Sequence, residues 1–573
     1  MRANDEVAAL LTRLMVLTQL EDGSAQSFRT RAYERATNGV RMHPEDVSAL
    51  SVSELKAIDG IGDSTARKIR EYIDTGHLAV HDELSAKYPD EFVAMLQVPG
   101  VGPRTAVMLR DRLGVESVDQ LKAAVAAKQL RELPGLGAKT EVKIGTAIDK
   151  LGLAGKNRRV PIATALRIAE GLVARVGTID GVREVRYCGS LRRFRDTAAD
   201  IDILVVGSDV ETADDAASAT AEAVADAVAD ARATIQVDVR VVAPEQYGAA
   251  LLYFTGSKAH NIALRQRAIA RGWLLNEYGL MEDDEVVFSE TEEDIYRALD
   301  LDFIPPELRE DNGEIEAAAE GALPDLVSVE DLRGDLHVHS TWSGDGRSSL
   351  EDMLAAAAAH GLEYVAITEH GEDLSINGLS REKVLEERGR IDALRARYPG
   401  LTILHGAELN IDPQGGVDYD PEFLGGFDWC VASVHSHFDL PADQQTERIL
   451  TAMANPAVSV IGHLTGRRIA KRPGIELDFD AVLDGAAATG TALEINSHID
   501  RLDVPADLLI RARNRHDVFY TISTDSHDVT EFVKSRWGVH NARRGWVERS
   551  QVVNTWPTAQ FLKWAGGLRT LGS

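Results

Sequence analysis

The sequence predicts a multidomain chain of mixed α+β and α/β class: a helical N-terminal region, an α+β centre and a C-terminal distorted seven-stranded β/α barrel. Three observations carry this expectation. Three Gly-x-Gly turns (Gly60-Ile61-Gly62, Gly100-Val101-Gly102, Gly135-Leu136-Gly137) separate helical patterns, Asp200-Ile201-Asp202 opens a strand-like run, and from Asp335 onward apolar runs repeatedly end in His or a carboxylate. At 573 residues the chain exceeds what one core holds and suits about three to four domains.

Composition narrows the class. The hydrophobic fraction of 44% is ordinary, and no apolar run approaches the roughly 18 residues of a membrane span. The chain starts with a charged helical pattern that has no secretory core, so a cytoplasmic protein without a membrane partner is expected. The two cysteines, Cys188 and Cys430, exclude a disulfide framework and a cysteine-based zinc site. Taken as an average, the formal charge of −29 argues against a nucleic-acid partner, since phosphate affinity is carried mainly by Lys and Arg. Acidic residues, however, gather in stretches such as Glu211 to Asp230 and Glu310 to Asp331, while basic ones cluster at Lys156-Asn157-Arg158-Arg159 and Arg192-Arg193-Phe194-Arg195. One face can therefore still hold a polyanion.

Residues 1 to about 150 carry apolar spacings of three and four and no strand pattern. Each Gly-x-Gly turn there follows one helical segment and leads into another. This is the pattern of a helix-hairpin-helix, in which glycine lets the backbone approach a phosphate and amides at the next helix N-terminus face the anion. One copy reads equally well as a glycine-closed turn; three favour DNA binding that ignores base identity.

The central region alternates helix and strand. In Asp200 to Val206, period-two alternation sends Ile201, Ile203 and Val205 to one face and Asp200 and Asp202 to the other. Ile235 to Val241 repeats the pattern and sets Gln236, Asp238 and Arg240 together, so Asp238 fits beside the first pair on a neighbouring strand. Carboxylates this close repel unless cations neutralise them. Mg²⁺ accepts such ligands together with substrate phosphates, as two-metal phosphoryl or nucleotidyl transfer requires. Asp-x-Asp alone reads as a solvated strand edge; the preceding Gly189-Ser190 and Arg192-Arg193 argue for chemistry. Between Thr212 and Ala233 an alanine-rich acidic helix is expected to cover the sheet. Tyr253 and Phe254, before the Thr255-Gly256-Ser257 turn, read by themselves as core aromatics, and residues from about 307 to 333 look like an acidic linker.

Beyond the linker a second chemistry begins. Asp335-Leu336-His337-Val338-His339 sets two imidazoles on one face, and the run from Tyr364 ends at His370. Runs from Leu401, Trp429, Val458 and Phe519 lead to Glu408, His435, His463 and Asp525-Ser526-His527. With Leu493-Glu494-Ile495 these make seven strand-like runs separated by helical patterns. Ligands at the C-terminal ends of successive parallel strands converge on one barrel mouth. Imidazoles with carboxylates suit Zn²⁺, Mn²⁺ or Fe²⁺ in a multinuclear site that activates water against phosphoesters. His360, His405, His437, His498, His516 and His540 lack that placement and are expected to be structural.

These residues match two known families. Gly189-Ser190-Leu191-Arg192-Arg193 with Asp200-Ile201-Asp202, the Tyr253-Phe254-Thr255-Gly256-Ser257 turn, Asn261 and Arg265 resemble the core of family X DNA polymerases, with a polymerase beta-like palm. The histidine series resembles the polymerase and histidinol phosphatase (PHP) domain. Both in this order, behind helix-hairpin-helix elements, are similar to the bacterial PolX family over essentially the whole chain. The resemblance implies that Asp200, Asp202 and Asp238 bind two catalytic Mg²⁺ or Mn²⁺ ions, Asp238 assisting the primer 3′-hydroxyl. It places the triphosphate at Gly189, Ser190 and Arg193, the sugar at Tyr253, Phe254 and Gly256, and the minor-groove side of the nascent pair at Asn261 and Arg265. Lys68 falls where relatives carry a Schiff-base lysine that removes a 5′-deoxyribose phosphate, although a basic residue after a hairpin more simply binds phosphate.

In the PHP region His337, His339, Asp345, His370, Glu408, His435, His463, Asp525 and His527 match the family's nine ligand positions for two or three Mn²⁺, Zn²⁺ or Fe²⁺ ions. They imply 3′–5′ exonuclease activity, with abasic-site endonuclease or 3′-phosphatase activity as extensions. Two departures bear on the match. Ser343-Gly344-Asp345-Gly346 stands where the family usually has Ser-Asp-Gly, which touches Asp345, and Thr368-Glu369-His370 replaces Thr-Asp-His.

The domains expected are a lyase-like helical DNA-binding domain at 1–85, a helix-hairpin-helix subdomain at 86–150, a nucleotidyltransferase palm at 151–243, a nucleotide-selection subdomain at 244–315, the linker at 316–333 and the PHP domain at 334–573. The function expected is a monomeric DNA repair polymerase of base excision repair. It would fill short gaps in gapped or nicked DNA from deoxynucleoside triphosphates, joined to a nuclease acting on 3′ ends. Two readings compete: a DNA-end-binding scaffold with weak catalysis, against which the complete ligand sets speak, and a nucleotidyltransferase with a small-molecule phosphatase, for which three glycine hairpins have little use.

Overall fold

The computed structural model describes residues 3–24, 27–43, 46–58, 60–151, 159–207, 235–283, 285–374 and 377–568. The helix expected at 212–233 and most of the basic stretch 156–159 lie outside them. The chain divides into two compact units, Met1–Arg158 with Ala470–Pro473, and Arg159–Ile469 with Gly474–Ser573. No helix of the described residues is long and apolar enough to cross a membrane.

The described residues of 3–151 are helices and turns. Helix Ala3–Asp22 serves two cores, giving Leu11 and Leu14 to one with Val40 and Ile69, and Leu17 and Leu20 to another with Phe92, Leu109 and Ile144. The three Gly-x-Gly turns share one geometry. The middle residue donates its amide to the carbonyl three residues back: Ile61 to Ile58 at 3.1 Å, Val101 to Val98 at 2.9 Å, Leu136 to Leu133 at 3.1 Å. The first glycine has φ of 80°, 92° and 82° in turn, a region open to glycine at no steric cost. The second precedes helices Asp63–Thr75, Pro103–Leu113 and Ala138–Leu151.

In the second unit, strands β1 (Val182–Tyr187), β2 (Asp200–Gly207) and β3 (Gln236–Val242) form a sheet with β2 central, antiparallel to β1 and parallel to β3. Helix Ile162–Val176 packs on β1 and β2 and buries Ile162, Leu166, Ala169 and Leu172 at helical spacing. Helices Tyr247–Thr255 and Lys258–Ile269 follow, then an antiparallel sheet of β4 (Leu274–Asn276), β5 (Gly279–Glu282) and β6 (Glu285–Phe288).

The stretch from about 307 to 333, expected to be an acidic linker, is exposed over much of its length but is anchored at several points. Helix Glu314–Ala319 puts Ile315 and Ala318 into a core with Leu252, Leu264 and Tyr296, and Val327 joins the barrel core. The acidic composition misleads because a critical carboxylate points inward: buried Glu314 pairs with His260 Nδ1 at 2.7 Å.

The barrel has seven parallel strands, β7 (Gly334–Val338), β8 (Tyr364–His370), β9 (Thr402–Asn410), β10 (Trp429–Ser433), β11 (Val460–Gly462), β12 (Ala492–Asn496) and β13 (Tyr520–Ser523), each paired with the next in chain order. A parallel bridge from Val338 to Ser526 joins the two ends, so the barrel is nearly closed. Leu336, Tyr364, Trp429, Val460 and Phe561 form a core near the strand N-termini, where Tyr364 stacks on Phe561 of helix Thr558–Leu568 at 4.5 Å. That core plugs one end and leaves the C-terminal ends of the strands to form the mouth.

Candidate active sites

The parallel register of β2 and β3 sets Asp202 opposite Asp238 and Asp200 opposite Gln236. Opposed residues project to the same side of a sheet, so the three carboxylates share one face. Burial first, then the charges of Asp200 and Asp238, push the Asp202 carboxyl up to about 6. Such crowding is relieved by cations.

The turn before β2 is shaped around Asp202. Cys188 donates its amide to the Asp202 carbonyl at 2.8 Å. Gly189 has φ 60°, and a Cβ there would stand 2.2 Å from Asp202 Oδ2, so this glycine makes room for the carboxylate. Ser190 Oγ is buried without a hydrogen-bond partner. Arg193 donates Nε to Glu310 at 2.9 Å and Nη1 to the Thr255 carbonyl, and Arg192 donates to Glu292 at 2.7 Å and to Thr255 Oγ1 at 2.6 Å. Both arginines thus tie the turn to the segment after the palm. Beside it Tyr253, Asn261 and Arg265 line one small cavity with Leu275 and Asn276. Asn261 Nδ2 donates to the Tyr253 carbonyl at 2.8 Å, and the Arg265 guanidinium lies 5.3 Å from the Tyr253 ring. Phe254 stands edge-on to Tyr253 at 5.1 Å, and Gly256, at φ 68°, ends their helix. Asn276 went unnoticed in the sequence.

At the barrel mouth all nine expected ligands converge. Three overlapping groups, His337 with His339 and Asp525, His339 with His370 and His527, and His370 with Glu408 and His435, each bring their ligand atoms within 4.8 Å of one another. His463 Nε2 lies 3.0 Å from Glu408, and Asp345 lies 3.3 Å from His370 Nε2 and 3.5 Å from His527 Nε2. The displaced Ser-Gly-Asp-Gly spacing therefore still delivers Asp345 to the cluster. Pairing between β7 and β8 slips between Asp335–Val365 and Val338–Ile367, a bulge that strict alternation does not foresee.

The donor set fits a divalent cation. His337 Nε2 and both ring nitrogens of His339 are buried without hydrogen-bond partners. Burial, then His527 and His370, push His339 down to about 3, which leaves it a neutral donor. Burial opposes a proton on His370, yet Asp345 and Glu408 push it up to about 10, as carboxylates do when a proton stands in for a cation.

The ring orientations are set from behind. Glu494 Oε1 lies 2.7 Å from His337 Nδ1, Asn410 Oδ1 lies 2.7 Å from His435 Nδ1, and the Asp525 carbonyl lies 2.9 Å from His527 Nδ1. Each contact leaves Nε2 for the cluster. Glu494 appeared in the sequence only as part of an apolar run; a carboxylate in the middle of a short apolar strand, Ala492–Asn496, was the available signal. Glu369 accepts from the Ser340 amide at 2.8 Å and the Ser343 amide at 3.0 Å, so it holds the turn that carries Asp345. His498, expected to be structural, lines the cavity at the mouth together with Arg468 and Arg501. His405 and His540 are structural: the first lies 3.5 Å from Glu387, the second 2.8 Å from Glu307. In the helical region Lys68 Nζ donates to Tyr33 Oη at 2.8 Å and Ser64 Oγ at 3.3 Å.

Fold and clusters together define a class: a palm carrying paired carboxylates, preceded by glycine hairpins and joined to a histidine-rich β/α barrel. Comparison with known proteins places it more closely. Residues 250–310 match the DNA polymerase beta thumb, 2–78 a helix-hairpin-helix domain, 92–148 a SAM-like helix-hairpin-helix tandem and 335–498 the PHP domain. The DNA polymerase/3′-5′ exonuclease PolX of Bacillus subtilis (strain 168) is 34% identical over 562 residues, 96% of this chain and 97% of that protein. The chain belongs to the PolX family. A probable phosphatase of Syntrophotalea carbinolica is 35% identical over 169 residues, 28% of this chain and 65% of that protein.

Proposed function

We propose that the chain is a DNA repair polymerase that fills short gaps by template-directed nucleotidyl transfer, and that its barrel is a 3′–5′ exonuclease. The observation that carries the reading is the register that sets Asp202 opposite Asp238, with the Asp202 carboxyl raised by burial and then by its neighbours. The likeness to the Bacillus subtilis protein over nearly the whole chain supports it.

Asp200, Asp202 and Asp238 hold Mg²⁺ or Mn²⁺. Bound there, divalent ions would lower the pKa of an attacking hydroxyl and neutralise charge on the leaving phosphate. Asp238 faces the primer 3′-hydroxyl. The unpartnered Ser190 hydroxyl, with Arg193, takes the triphosphate; Tyr253, Phe254 and Gly256 bound the sugar, and Asn261 and Arg265 face the minor-groove edge of the new pair. In the barrel the nine-residue set would hold two or three Mn²⁺, Zn²⁺ or Fe²⁺ ions, which when bound would supply an activated water for phosphoester hydrolysis. Abasic-site endonuclease and 3′-phosphatase activity fall within the same chemistry. The hairpin amides grip gapped or nicked DNA through its phosphates, and Lys68, held by Tyr33, serves as a phosphate contact ahead of any Schiff-base role. The protein acts as a cytoplasmic monomer.

Extension of a primer across a gapped duplex tests the palm: Asp202→Ala abolishes addition and leaves 3′-end digestion, while His339→Ala does the reverse. Synthesis that persists in Asp202→Ala refutes the metal assignment. Running gapped DNA, RNA and small phosphate esters side by side separates this reading from a small-molecule phosphatase and from a scaffold that binds ends without turnover.

A further inference from the structure

The cavity of about 330 Å³ at the barrel mouth is lined by metal-type ligands and also by Arg347, Arg468, His498, Arg501 and Glu531. Its cations fall into two groups. Arg347 pairs with Glu531 at 2.6 Å, and Lys534 pairs with the same carboxylate at 2.6 Å. Arg468 and Arg501 have no acid within hydrogen-bond reach among the described residues. Arg501 Nε is buried without a partner, 3.9 Å from Asp525. Arg468 lines the same cavity as Arg501, and burial and then Arg501 disfavour its charge, while Asp525 and Asp500 favour it.

Two half-buried guanidiniums side by side cost free energy that a carboxylate 3.9 Å from one of them offsets only in part, and an anion joining them lowers that cost. The loops that carry them are fixed: Arg467 donates to the carbonyls of Arg501 at 2.7 Å and Leu502 at 2.6 Å, and the Ile469 amide donates to the Asp500 carbonyl at 2.7 Å. His498 Nδ1 accepts from the Asp500 amide at 3.3 Å, which leaves Nε2 as the proton-bearing nitrogen. The surroundings thus offer donors in fixed positions beside the ligand cluster, as phosphate recognition requires.

We propose that Arg468 and Arg501 form a guanidinium clamp for the non-bridging oxygens of the phosphate on which the barrel site acts, with His498 as a third donor. The clamp rests on the reading of the barrel as a phosphoesterase, and it also takes free inorganic phosphate.

Equilibrium dialysis of radiolabelled inorganic phosphate against the full-length, metal-loaded protein tests it. Arg468→Gln and Arg501→Gln each weaken phosphate binding by about ten-fold, the size of one charge-assisted hydrogen bond, and the double variant loses it. Bound metal per chain and gap filling stay at wild-type values, which a merely disturbed barrel would not allow. On single-stranded DNA the KM for 3′-end digestion rises in step with the loss of inhibition by phosphate. Phosphate binding that is equal in wild type and double variant, or absent from wild type, overturns the clamp. Arginine-dependent phosphate binding in a wild type that digests no DNA would overturn the nuclease reading and leave the clamp standing.

Discussion

Arg544 donates a 2.9 Å hydrogen bond to Asp196, and so joins the barrel helix Ser535–Arg544 to the turn that leads into palm strand β2. Arg467, from the loop after β11, reaches the other oxygen of Asp196 at 2.7 Å. Phe194 stacks on His540 at 4.8 Å, while His540 and Arg543 share Glu307 at 2.8 and 2.9 Å. The turn carrying Ser190 and Arg193 is therefore held jointly by the palm, the segment after it and the barrel.

Replacement of Asp196 by Asn tests that seam. Burial would raise its carboxyl, but Arg467 and Arg544 hold it down to about 2. Because this lies below the ordinary value near 3.8, the pair stabilises the fold above about pH 4, and the contribution is lost as pH falls towards 2. Asp196→Asn should cost about 2–3 kcal/mol at neutral pH. The figure is set below that of a fully buried pair because 30% of the Asp196 side chain reaches solvent. Urea unfolding followed by tryptophan fluorescence should show the gap between wild type and variant at pH 7 and its closing between pH 4 and 2.

Glu494→Gln probes the support behind the barrel ligands. Glutamine keeps the shape but weakens the hold on His337 Nδ1, now 2.7 Å from the carboxylate, and on the His463 amide, which donates to the other oxygen at 2.7 Å. Loss of such a partner costs about 10–100-fold in metal affinity. Competition against a chelator should show that weakening, with gap filling unchanged.

Much of this was legible because chemistry and backbone period coincide. Asp202 and Asp238 each stand in an alternating apolar strand, so their shared face followed from sequence, and the barrel ligands other than Asp345 follow apolar runs. Relations between distant loops were not legible. Arg467 and Asp196 are 271 positions apart, and neither carries a local pattern that names the other. Glu314 and Glu307 fall in the stretch read as an acidic linker, although each is buried against a histidine, because composition does not say which way a side chain points. The β7 bulge is equally silent, being a property of the pairing rather than of either strand.

The hairpins offer a case where binding and stability separate. A Cβ at Gly62, Gly102 or Gly137 meets nothing within 4 Å. Alanine at any of them should leave the thermal midpoint within the effect of about 0.5 kcal/mol, since nothing packed is disturbed. The same methyl stands where a phosphate approaches the helix N-terminus, so affinity for gapped DNA should fall, and by similar factors for unrelated sequences, in a titration at fixed salt. A loss confined to one DNA sequence would contradict backbone recognition.

Gly189→Ala sets the strictest condition on the palm. The added methyl would stand 2.2 Å from Asp202 Oδ2 and 3.3 Å from its Cγ, at φ 60°, so either the turn or the carboxylate must move. The turn is held by Arg192 on Glu292 at 2.7 Å, Arg193 on Glu310 at 2.9 Å and Asp196 on Arg544 at 2.9 Å, whereas the carboxylate is the free end of a side chain. Asp202 is therefore the part that yields. The strained backbone costs about 1–3 kcal/mol of stability. A carboxylate displaced by about 1 Å costs about 100-fold in nucleotide insertion, because catalytic groups act only in place. Single-nucleotide insertion into a gapped duplex should thus fall much further than the melting temperature, with 3′-end digestion retained as the internal control. Wild-type insertion by Gly189→Ala would mean that Asp202 does its work from some other position than the one it holds beside this glycine.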